Sequence, residues 1–308
     1  MSALETGRGQ QELLLNRDVE ERRGLEDLRG LTFGIAYRMT GSVSDAEDLS
    51  QEAFVRLEES ERSGGKIESR RAWISTVTTR LAIDHLRSAR VRRERYVGPW
   101  LPEPLLTDES PGPAEHAEVA DSLSQAFLVL LERLSPVERA VFLLREVFGF
   151  EYAQVADAVG RSEVNCRQIA TRARKHVDAN RTRFEPDDDV YEKLLDRFID
   201  ANENGDVDAL KELLSADAVV YSDGGGKVVA ARVPFGGVER IAHFMVKIWN
   251  RRHARGASER RDLRVNGRRG WIWIDGAGAV EGVLTIEVAE GRIRAIRIVR
   301  NPDKLRHV

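Results

Sequence analysis

A proline-rich segment interrupts the first half of this chain and limits what the chain can fold into. The segment, VGPWLPEPLL, spans residues 97–106 and contains three prolines. Each proline fixes its own φ, lacks an amide donor and disfavours helix at the preceding residue, so no helix can run through this segment. Helical units must therefore lie on either side of an extended connection. Trp100 and Leu101 are too apolar for a fully solvated connection, so we expect protein surface to cover them.

Composition predicts a soluble protein with more than one domain. The chain has 308 residues, of which 42% are hydrophobic and 32% are charged, as in ordinary globular proteins. Its one cysteine, Cys166, allows no intrachain disulfide and no cysteine-ligated metal cluster, which suits a reducing compartment. Charges occur throughout the first residues, and no later stretch reaches the roughly 20 apolar residues of a membrane span. We expect a cytoplasmic protein with no metal and no cofactor.

The hydrophobic pattern changes near residue 187. Before it, apolar residues recur at helical spacing over residues 18–96 and again over 111–183, with Ser44 or Asp45 as the expected N-cap of one helix. After it come two predicted helices, DVYEKLLDRFIDANENG and DVDALKELL, and then four strand-like runs: AVVYSD, GWIWID, GVLTIEV and RIRAIRIV. The sequence therefore predicts two all-α domains followed by one α+β domain.

The sharpest local motif is a predicted helix-turn-helix over residues 150–177. One helix ends at Gly160, and Ser162 can cap a second helix that runs from about Glu163 to Val177. On a helical wheel, five residues of the second helix face the preceding helices: Cys166, Ile169, Ala170, Ala173 and Val177. The outward side carries six residues: Val164, Arg167, Gln168, Thr171, Arg172 and Lys175.

The outward side has the chemistry of a major-groove surface. Arginine suits guanine edges, glutamine suits adenine, valine or threonine suits the thymine methyl group, and the remaining cations suit phosphates. A small helical bundle with a solvated basic face would show the same pattern. A second basic cluster lies at the end of an earlier helix: Arg87, Arg90, Arg92, Arg93 and Arg95. This cluster exceeds what capping a helix dipole needs, so we interpret it as a phosphate-contacting surface.

The helical part of the chain resembles a bacterial sigma factor of the extracytoplasmic-function (ECF) class. The stretches LRGLTFGIAYRMTGSVSDAEDLSQEAFVRL and RAWISTVTTRLAIDHLRSARVRRERY resemble conserved region 2, and LERLSPVERAVFLLREVFGFEYAQVADAVGRSEVNCRQIATRARKHV resembles region 4. The resemblance implies two helical domains, no enzymatic activity, and two partners: the RNA polymerase core, through its β′ clamp and β subunits, and promoter DNA. It assigns Asp48, Gln51 and Glu52 to the helix that docks on the β′ clamp.

The same resemblance assigns residues to promoter DNA. Arg80, Asp84 and Arg87 match the helix that reads and melts the −10 element, and Arg90 follows in the basic cluster. Arg167, Gln168 and Thr171 match the recognition helix for the −35 element, in agreement with the helical wheel.

The chain continues for more than a hundred residues beyond the end expected of such sigma factors. The added part resembles a SnoaL-like domain of the nuclear-transport-factor-2 (NTF2-like) cone fold. Three short motifs match the SigJ-like subgroup, which carries this fusion: WLPEP, DGGGK and NPDKL. We therefore expect region 2 at residues 18–97, a linker with WLPEP at 98–118, region 4 at 119–183 and the SnoaL-like domain at 187–308.

We expect the three motifs to meet. The hypothesis is that the added domain holds the linker and so sets the relative placement of the two promoter-reading domains. The resemblance implies a built-in regulator in place of a separate anti-sigma factor, and it is compatible with activation or inhibition. Alternatively, Trp100 only covers an apolar patch of its own domain. The residues assigned to the interdomain contact are Trp100, Leu101, Pro102, Asp223, Gly224, Gly225, Gly226, Lys227, Asn301, Pro302, Asp303, Lys304 and Leu305.

Other functions stay open at this level. DGGGK lacks the spacing of a phosphate-binding loop and runs into a strand-like stretch, so a tight turn is the better interpretation. The SnoaL-like pocket is a candidate site for a small-molecule ligand, and Asp223, His243 or Asp275 could act there as acid or base. Two alternative classes follow: a ligand-sensing helix-turn-helix regulator that acts without polymerase, and a SnoaL-type cyclase or isomerase with a DNA-binding appendage.

Overall fold

The first half of the chain is helical. We describe residues 22–93, 96–107, 122–180, 188–253 and 259–308 from a computed structural model. Residues 22–93 form three helices: α1 (22–40), α2 (Val43–Arg62) and α3 (Arg70–Arg93). Within residues 122–180 there are four further helices and a π-helical turn at Leu143–Val147: α4 (Gln125–Leu131), α5 (Pro136–Phe142), α6 (Tyr152–Val159) and α7 (Glu163–Asn180).

One hydrophobic core joins the helices on both sides of the proline segment. Met39 of α1 and Ile83 of α3 belong to the same buried cluster as Leu131 of α4. Two buried arginines add polar links: Arg38 Nε donates to Ser122 Oγ at 3.2 Å, and a guanidinium nitrogen of Arg139 donates to the Met39 carbonyl. Burial lowers the pKa of Arg38 to about 10. The two predicted helical regions are both present, and they are packed together as one unit.

The second half of the chain is an α+β domain, as the sequence predicts, built on a six-stranded mixed sheet. The strand order is β2-β1-β6-β5-β4-β3, with β1 and β6 parallel and the other neighbours antiparallel. Its elements in chain order are α8 (Asp188–Glu203), α9 (Val207–Leu213), β1 (Leu214–Asp223), β2 (Phe235–Gly236), α10 (Val238–His253), β3 (Glu259–Val265), β4 (Arg268–Ile274), β5 (Val280–Ala289), β6 (Arg292–Val299) and a 3-10 turn at Pro302–Lys304.

Both faces of this sheet are covered. Because side chains alternate along a strand, Trp271 and Trp273 of β4 belong to one face, and Ile272 and Ile274 belong to the other. The first face packs on α8, α9 and α10. The second face packs on Leu101 of the proline segment, which is only 1% exposed. The second apolar layer of the sheet is therefore supplied in part by the helical half of the chain.

Local details differ from the sequence-based expectation. The N-cap of α2 is Ser42, whose Oγ accepts from the Asp45 amide at 3.1 Å, so the expectation of Ser44 or Asp45 is wrong. The N-cap residue directly follows Gly41, whose left-handed φ of +68° turns the chain. The predicted strand runs correspond to β1, β4, β5 and β6, whereas the polar edge strand β3 (ERRDLRV) and helix α10 are not among the predicted elements. None of the described helices is both long and apolar enough to cross a membrane.

Candidate nucleic-acid interface and interdomain clasp

The helix-turn-helix is formed by α6 and α7. Gly160 ends α6 in the left-handed conformation, with φ 65° and ψ 44°, and the Asn165 amide donates to Ser162 Oγ at 3.3 Å as α7 begins. The five residues predicted to face inwards are all buried: Cys166, Ile169, Ala170, Ala173 and Val177. The turn and the inward face of the predicted motif are therefore confirmed.

The outward side of α7 is open. Val164 is 63% exposed, which is unusual for a valine. Arg167 binds Glu163 through its guanidinium, 2.9 Å from Oε2, and its guanidinium carbon lies 5.0 Å from the centre of the Tyr152 ring. Both contacts orient the guanidinium without burying it. All six predicted DNA-contacting residues of α7 are exposed: Val164, Arg167, Gln168, Thr171, Arg172 and Lys175.

The predicted −10 helix, α3, is in a different situation because it packs against α6. Arg80 donates from Nε to the Ala158 carbonyl at 3.2 Å and from a terminal nitrogen to the Asp157 carbonyl at 2.5 Å. These carbonyls end α6, where the helix dipole favours a cation. Asp84 and Arg87 are exposed and bind each other at 3.1 Å. The side chains of the other cluster arginines, Arg90, Arg92, Arg93 and Arg95, lie outside the part of the chain that the structure describes.

The residues predicted to contact the polymerase core share the solvent-facing side of α2. Asp48, Gln51 and Glu52 are all exposed, and Glu52 Oε1 binds Arg56 at 2.8 Å. Val55, on the same exposed side, is 44% exposed. An exposed face with two acidic residues and one valine is therefore accessible on α2.

The proline segment, the DGGGK turn and the C-terminal NPDKL segment meet at one place, which we call the interdomain clasp (residues 96–105, 223–227 and 301–305). Asp223 at the end of β1 is its fully buried centre. Asp223 Oδ2 accepts from the Leu101 amide at 2.9 Å and from Lys304 Nζ at 2.8 Å. Asp223 Oδ1 accepts from Tyr96 Oη at 2.5 Å and from the Gly225 amide at 3.1 Å. Burial, and next the hydrogen bond to Asp223, raise the pKa of Tyr96 well above its usual value, so its hydroxyl stays a donor.

Trp100 contacts the helical half and the C-terminal domain at once. Lys304 Nζ lies 4.1 Å from the centre of a Trp100 ring and also donates to the Leu101 carbonyl. On its other side Trp100 meets Gly41, where an added Cβ would come within 2.7 Å of the indole. Trp100 therefore does more than cover a patch of its own domain. Its neighbours Leu101 and Pro102 are both buried.

The DGGGK turn and the NPDKL segment fit closely against each other. Gly225 and Gly226 have φ of 59° and 73°, and a Cβ at Gly225 would overlap the amide group of Asn301. Asn301 Nδ2 donates to Tyr96 Oη at 2.9 Å. Lys227 Nζ binds Asp303 Oδ2 at 2.5 Å, and this hydrogen bond lowers the pKa of Asp303. The remaining predicted residues complete the contact: Gly224 follows β1 with an added Cβ blocked by Val228 and Ala230, Pro302 is exposed, and Leu305 is buried.

Two further contacts were not predicted. Glu103, inside WLPEP, accepts from the Val43 amide at 2.7 Å and the Ser44 amide at 3.2 Å, so its carboxylate lies at the N-terminus of α2. Asn266, in the β3–β4 turn, donates to Tyr37 Oη at 2.6 Å and accepts from the Leu105 amide at 3.2 Å. The Asn-Gly pair at 266–267 signals a hairpin turn in the sequence, but not its partners.

The three candidate acids or bases have other partners. Asp223 is held by the interdomain clasp. Asp275 Oδ1 accepts from the Ala277 and Ala279 amides in its own turn, at 2.8 and 2.9 Å. His243 is exposed on α10 and contacts Glu239 one turn earlier.

The sequence of each helical region matches a known family model. Residues 25–92 match Sigma-70 region 2, and residues 124–177 match Sigma-70, region 4. Both matches fall on the helices just described, α1–α3 and α4–α7.

Relatives extend the similarity over nearly the whole chain. The ECF RNA polymerase sigma factor SigJ of Mycobacterium tuberculosis is 36% identical over 289 residues, covering 91% of each chain. The probable ECF RNA polymerase sigma factor SigI of the same organism is 33% identical and covers 90% of this chain and 92% of its own. The crystal structure of SigJ superposes with a TM-score of 0.73 at 32% identity, covering 92% of this chain and 97% of the other. The chain belongs to the family of ECF RNA polymerase sigma factors.

Family membership decides between the alternatives left open by the sequence. Sigma factors bind the RNA polymerase core and promoter DNA and direct transcription initiation, and the family is non-enzymatic. The sigma-factor interpretation is therefore confirmed over a stand-alone regulator and over a cyclase. The helical regions 2 and 4 and the C-terminal α+β domain with its six-stranded sheet are likewise confirmed.

Proposed function

We propose that the C-terminal domain of this sigma factor regulates initiation by holding regions 2 and 4 in a closed arrangement. The observation that supports this most directly is the grip on Leu101. Its amide binds Asp223, its carbonyl binds Lys304, and its side chain is buried against the sheet. A segment held at backbone and side chain cannot move as a free linker between the two regions.

The spacing of the promoter elements is too large for the closed arrangement to contact both of them. The −10 and −35 elements lie about 25 base pairs apart, which is about 85 Å of duplex at 3.4 Å per base pair. Helices that share one hydrophobic core lie within about 30 Å, the diameter of a small domain. Region 2 and region 4 must therefore separate before both elements can be contacted. Arg80 supports this view, because its guanidinium donates hydrogen bonds to the carbonyls that end α6 in the closed arrangement.

The residue assignments within regions 2 and 4 are part of the same proposal. The outward residues of α7 read the −35 element, Arg80, Asp84, Arg87 and Arg90 act on the −10 element after opening, and Asp48, Gln51 and Glu52 contact the β′ clamp. The domain division at 18–97, 98–118, 119–183 and 187–308 belongs to it as well. Exposure of the α2 and α7 faces supports the assignments that need accessibility. We also propose a small-molecule ligand for the C-terminal domain.

Run-off transcription with purified core polymerase tests the regulatory proposal. Lys304→Met removes the amine that binds Asp223 and Leu101, so we expect more transcript per bound polymerase than with the original chain. Lys247→Met, an exposed lysine on α10 outside the interdomain clasp, is the matched control and should leave transcription unchanged. Unchanged transcription by Lys304→Met at normal core binding would contradict regulation through the clasp, and a decrease would contradict its inhibitory sign.

A second measurement follows the separation itself. Spin labels on cysteines introduced at Glu59 and Asp178, both exposed and neither assigned to DNA or polymerase, report the distance between α2 and α7; the native Cys166 is buried. We expect a short distance in the free chain and an increase of several tens of ångströms in the promoter complex. A distance that stays the same would contradict opening.

A further inference from the structure

The C-terminal domain contains a cavity of about 930 Å³ beside the interdomain clasp. Its walls are mainly apolar and include Phe244 and Ile248 of α10 and Ile298 of β6. Pockets of about 300–1,000 Å³ with apolar walls and a few polar groups are typical of sites for drug-sized organic molecules. The cavity therefore has room for a compact ligand with an apolar body.

Two arginines at the cavity have no polar partner among the residues that the structure describes. Arg232, in the loop after DGGGK, and Arg251, on α10, line the cavity, and neither makes a hydrogen bond or ion pair with any residue that the structure describes. The other charged groups at the cavity are engaged. Lys227 binds Asp303, and Asp275 accepts backbone amides of its own turn. Glu281 and Arg300, which also line the cavity, have partners too. The available charge is therefore positive.

We propose that this cavity binds a small amphipathic organic anion, with its apolar body between α10 and the sheet and its carboxylate between Arg232 and Arg251. A guanidinium matches a carboxylate with charge-assisted hydrogen bonds, whereas a cationic or purely apolar ligand leaves both arginines without a counter-charge. The three exposed valines of the neighbouring loop, Val228, Val229 and Val233, add apolar surface beside the same cavity.

One wall of the cavity comes from the proline segment. Val97 and Gly98 line it, directly between Tyr96 and Trp100 of the interdomain clasp. The fit is close: a Cβ at Gly226 would come 3.1 Å from Val97 Cβ, and one at Gly98 would come 3.8 Å from the Arg232 backbone. A ligand touching this wall binds the closed arrangement more tightly than an open one, and so favours it. This coupling rests on the proposed function, whereas the binding site does not.

Fluorescence titration of the full chain with 1-anilinonaphthalene-8-sulfonate, an apolar aromatic anion, tests the site without polymerase. We expect saturable binding of one probe per chain. Decanoate and 2-naphthoate should displace it, the first representing a linear and the second an aromatic carboxylate, whereas decyltrimethylammonium below its micelle concentration should not. Displacement by only one carboxylate identifies the shape of the apolar body and supports the proposal equally.

Variants locate the binding. Arg232→Gln with Arg251→Gln should weaken probe binding about tenfold or more, and Ala231→Trp, which fills the cavity from its loop, should abolish it. Arg240→Gln, at the other end of α10 and outside the cavity, is the control. Binding that is unaffected by the double variant and by Ala231→Trp, or equal displacement by the cation, would overturn the site.

The coupling has its own readout. Lys304→Met should lower probe affinity several-fold, because the Val97–Gly98 wall is then no longer held. Equal affinity in Lys304→Met would overturn the coupling while the site itself stands. A transcriptional effect of Lys304→Met combined with absent probe binding would overturn the ligand and leave the proposed function intact.

Discussion

Two lysine–aspartate pairs join the DGGGK turn to the NPDKL segment, with the same chemistry and opposite burial. Lys304 of NPDKL pairs with Asp223 of DGGGK, and the two side chains are 6% and 0% exposed. Lys227 of DGGGK pairs with Asp303 of NPDKL, and these side chains are 53% and 42% exposed. The two motifs thus exchange one lysine and one aspartate each. The sequence does not distinguish the two pairs, and they differ only in how far they are buried in the folded chain.

The difference in burial predicts which of the two pairs matters more to the stability of the clasp. A half-exposed pair is screened by water and salt and contributes about 0–1 kcal/mol. A buried pair contributes little net stability either, but removing one partner leaves a charge without compensation and costs about 3–5 kcal/mol. Loss of one partner of the buried pair therefore destabilises the clasp strongly, whereas loss of one partner of the exposed pair has a small effect.

The largest expected effect comes from Asp223→Ala. This change leaves the Lys304 ammonium buried without its counter-charge and removes the acceptor of the Leu101 amide. We expect the free energy of unfolding, measured by urea titration, to fall by about 3–5 kcal/mol. A loss below about 1 kcal/mol would show that the buried pair matters no more to stability than the exposed pair, and would contradict the proposed difference between them.

A double variant sharpens the same point. Asp223→Leu with Lys304→Met removes both charges, so the penalty of an isolated buried charge disappears. The Leu101 amide and the Tyr96 hydroxyl still lose their acceptor, which leaves a deficit of about 1–3 kcal/mol. We therefore expect the double variant to be more stable than Asp223→Ala in the same urea titration. Equal loss in both would show that hydrogen bonding, and not charge burial, dominates.

An intermediate effect is expected of Gly225→Ala. The residue has φ of 59°, which costs a non-glycine residue about 1 kcal/mol, and the new methyl group would overlap the Asn301 amide. We expect a loss of about 1–3 kcal/mol in unfolding free energy. Gly278→Ala, also at positive φ but with open space around it, is the matched control and should show only the backbone part. Equal losses would mean that contact with NPDKL contributes nothing.

The smallest effect is expected of Asp303→Asn. The Lys227 hydrogen bond lowers the pKa of Asp303, so the pair's contribution is present at pH 7, above the unfolded pKa, and is lost as the pH falls through the folded value. We expect a loss below about 1 kcal/mol at pH 7 that shrinks further at high salt. A salt-independent loss as large as that of Asp223→Ala would contradict the assignment of the pair to the surface.

The sequence predicts most of the local structure of this chain. The spacing of Cys166, Ile169 and Ala173 gives the inward face of α7, and Gly160 with Ser162 gives the turn before it. The runs GWIWID and RIRAIRIV identify β4 and β6. These features depend on residues within one or two turns of each other, so periodicity and capping suffice to predict them. The polar strand β3 is the exception, because an edge strand needs no apolar pattern.

The sequence predicts part of the three-motif contact, namely that WLPEP, DGGGK and NPDKL meet. Tertiary structure decided the rest: the burial of Asp223 with Lys304, Glu103 at the start of α2, Asn266 against Tyr37, and Arg80 on the end of α6. Each of these joins residues tens to hundreds of positions apart. Whether a carboxylate is buried or exposed depends on which distant segment covers it, and no local pattern carries that information.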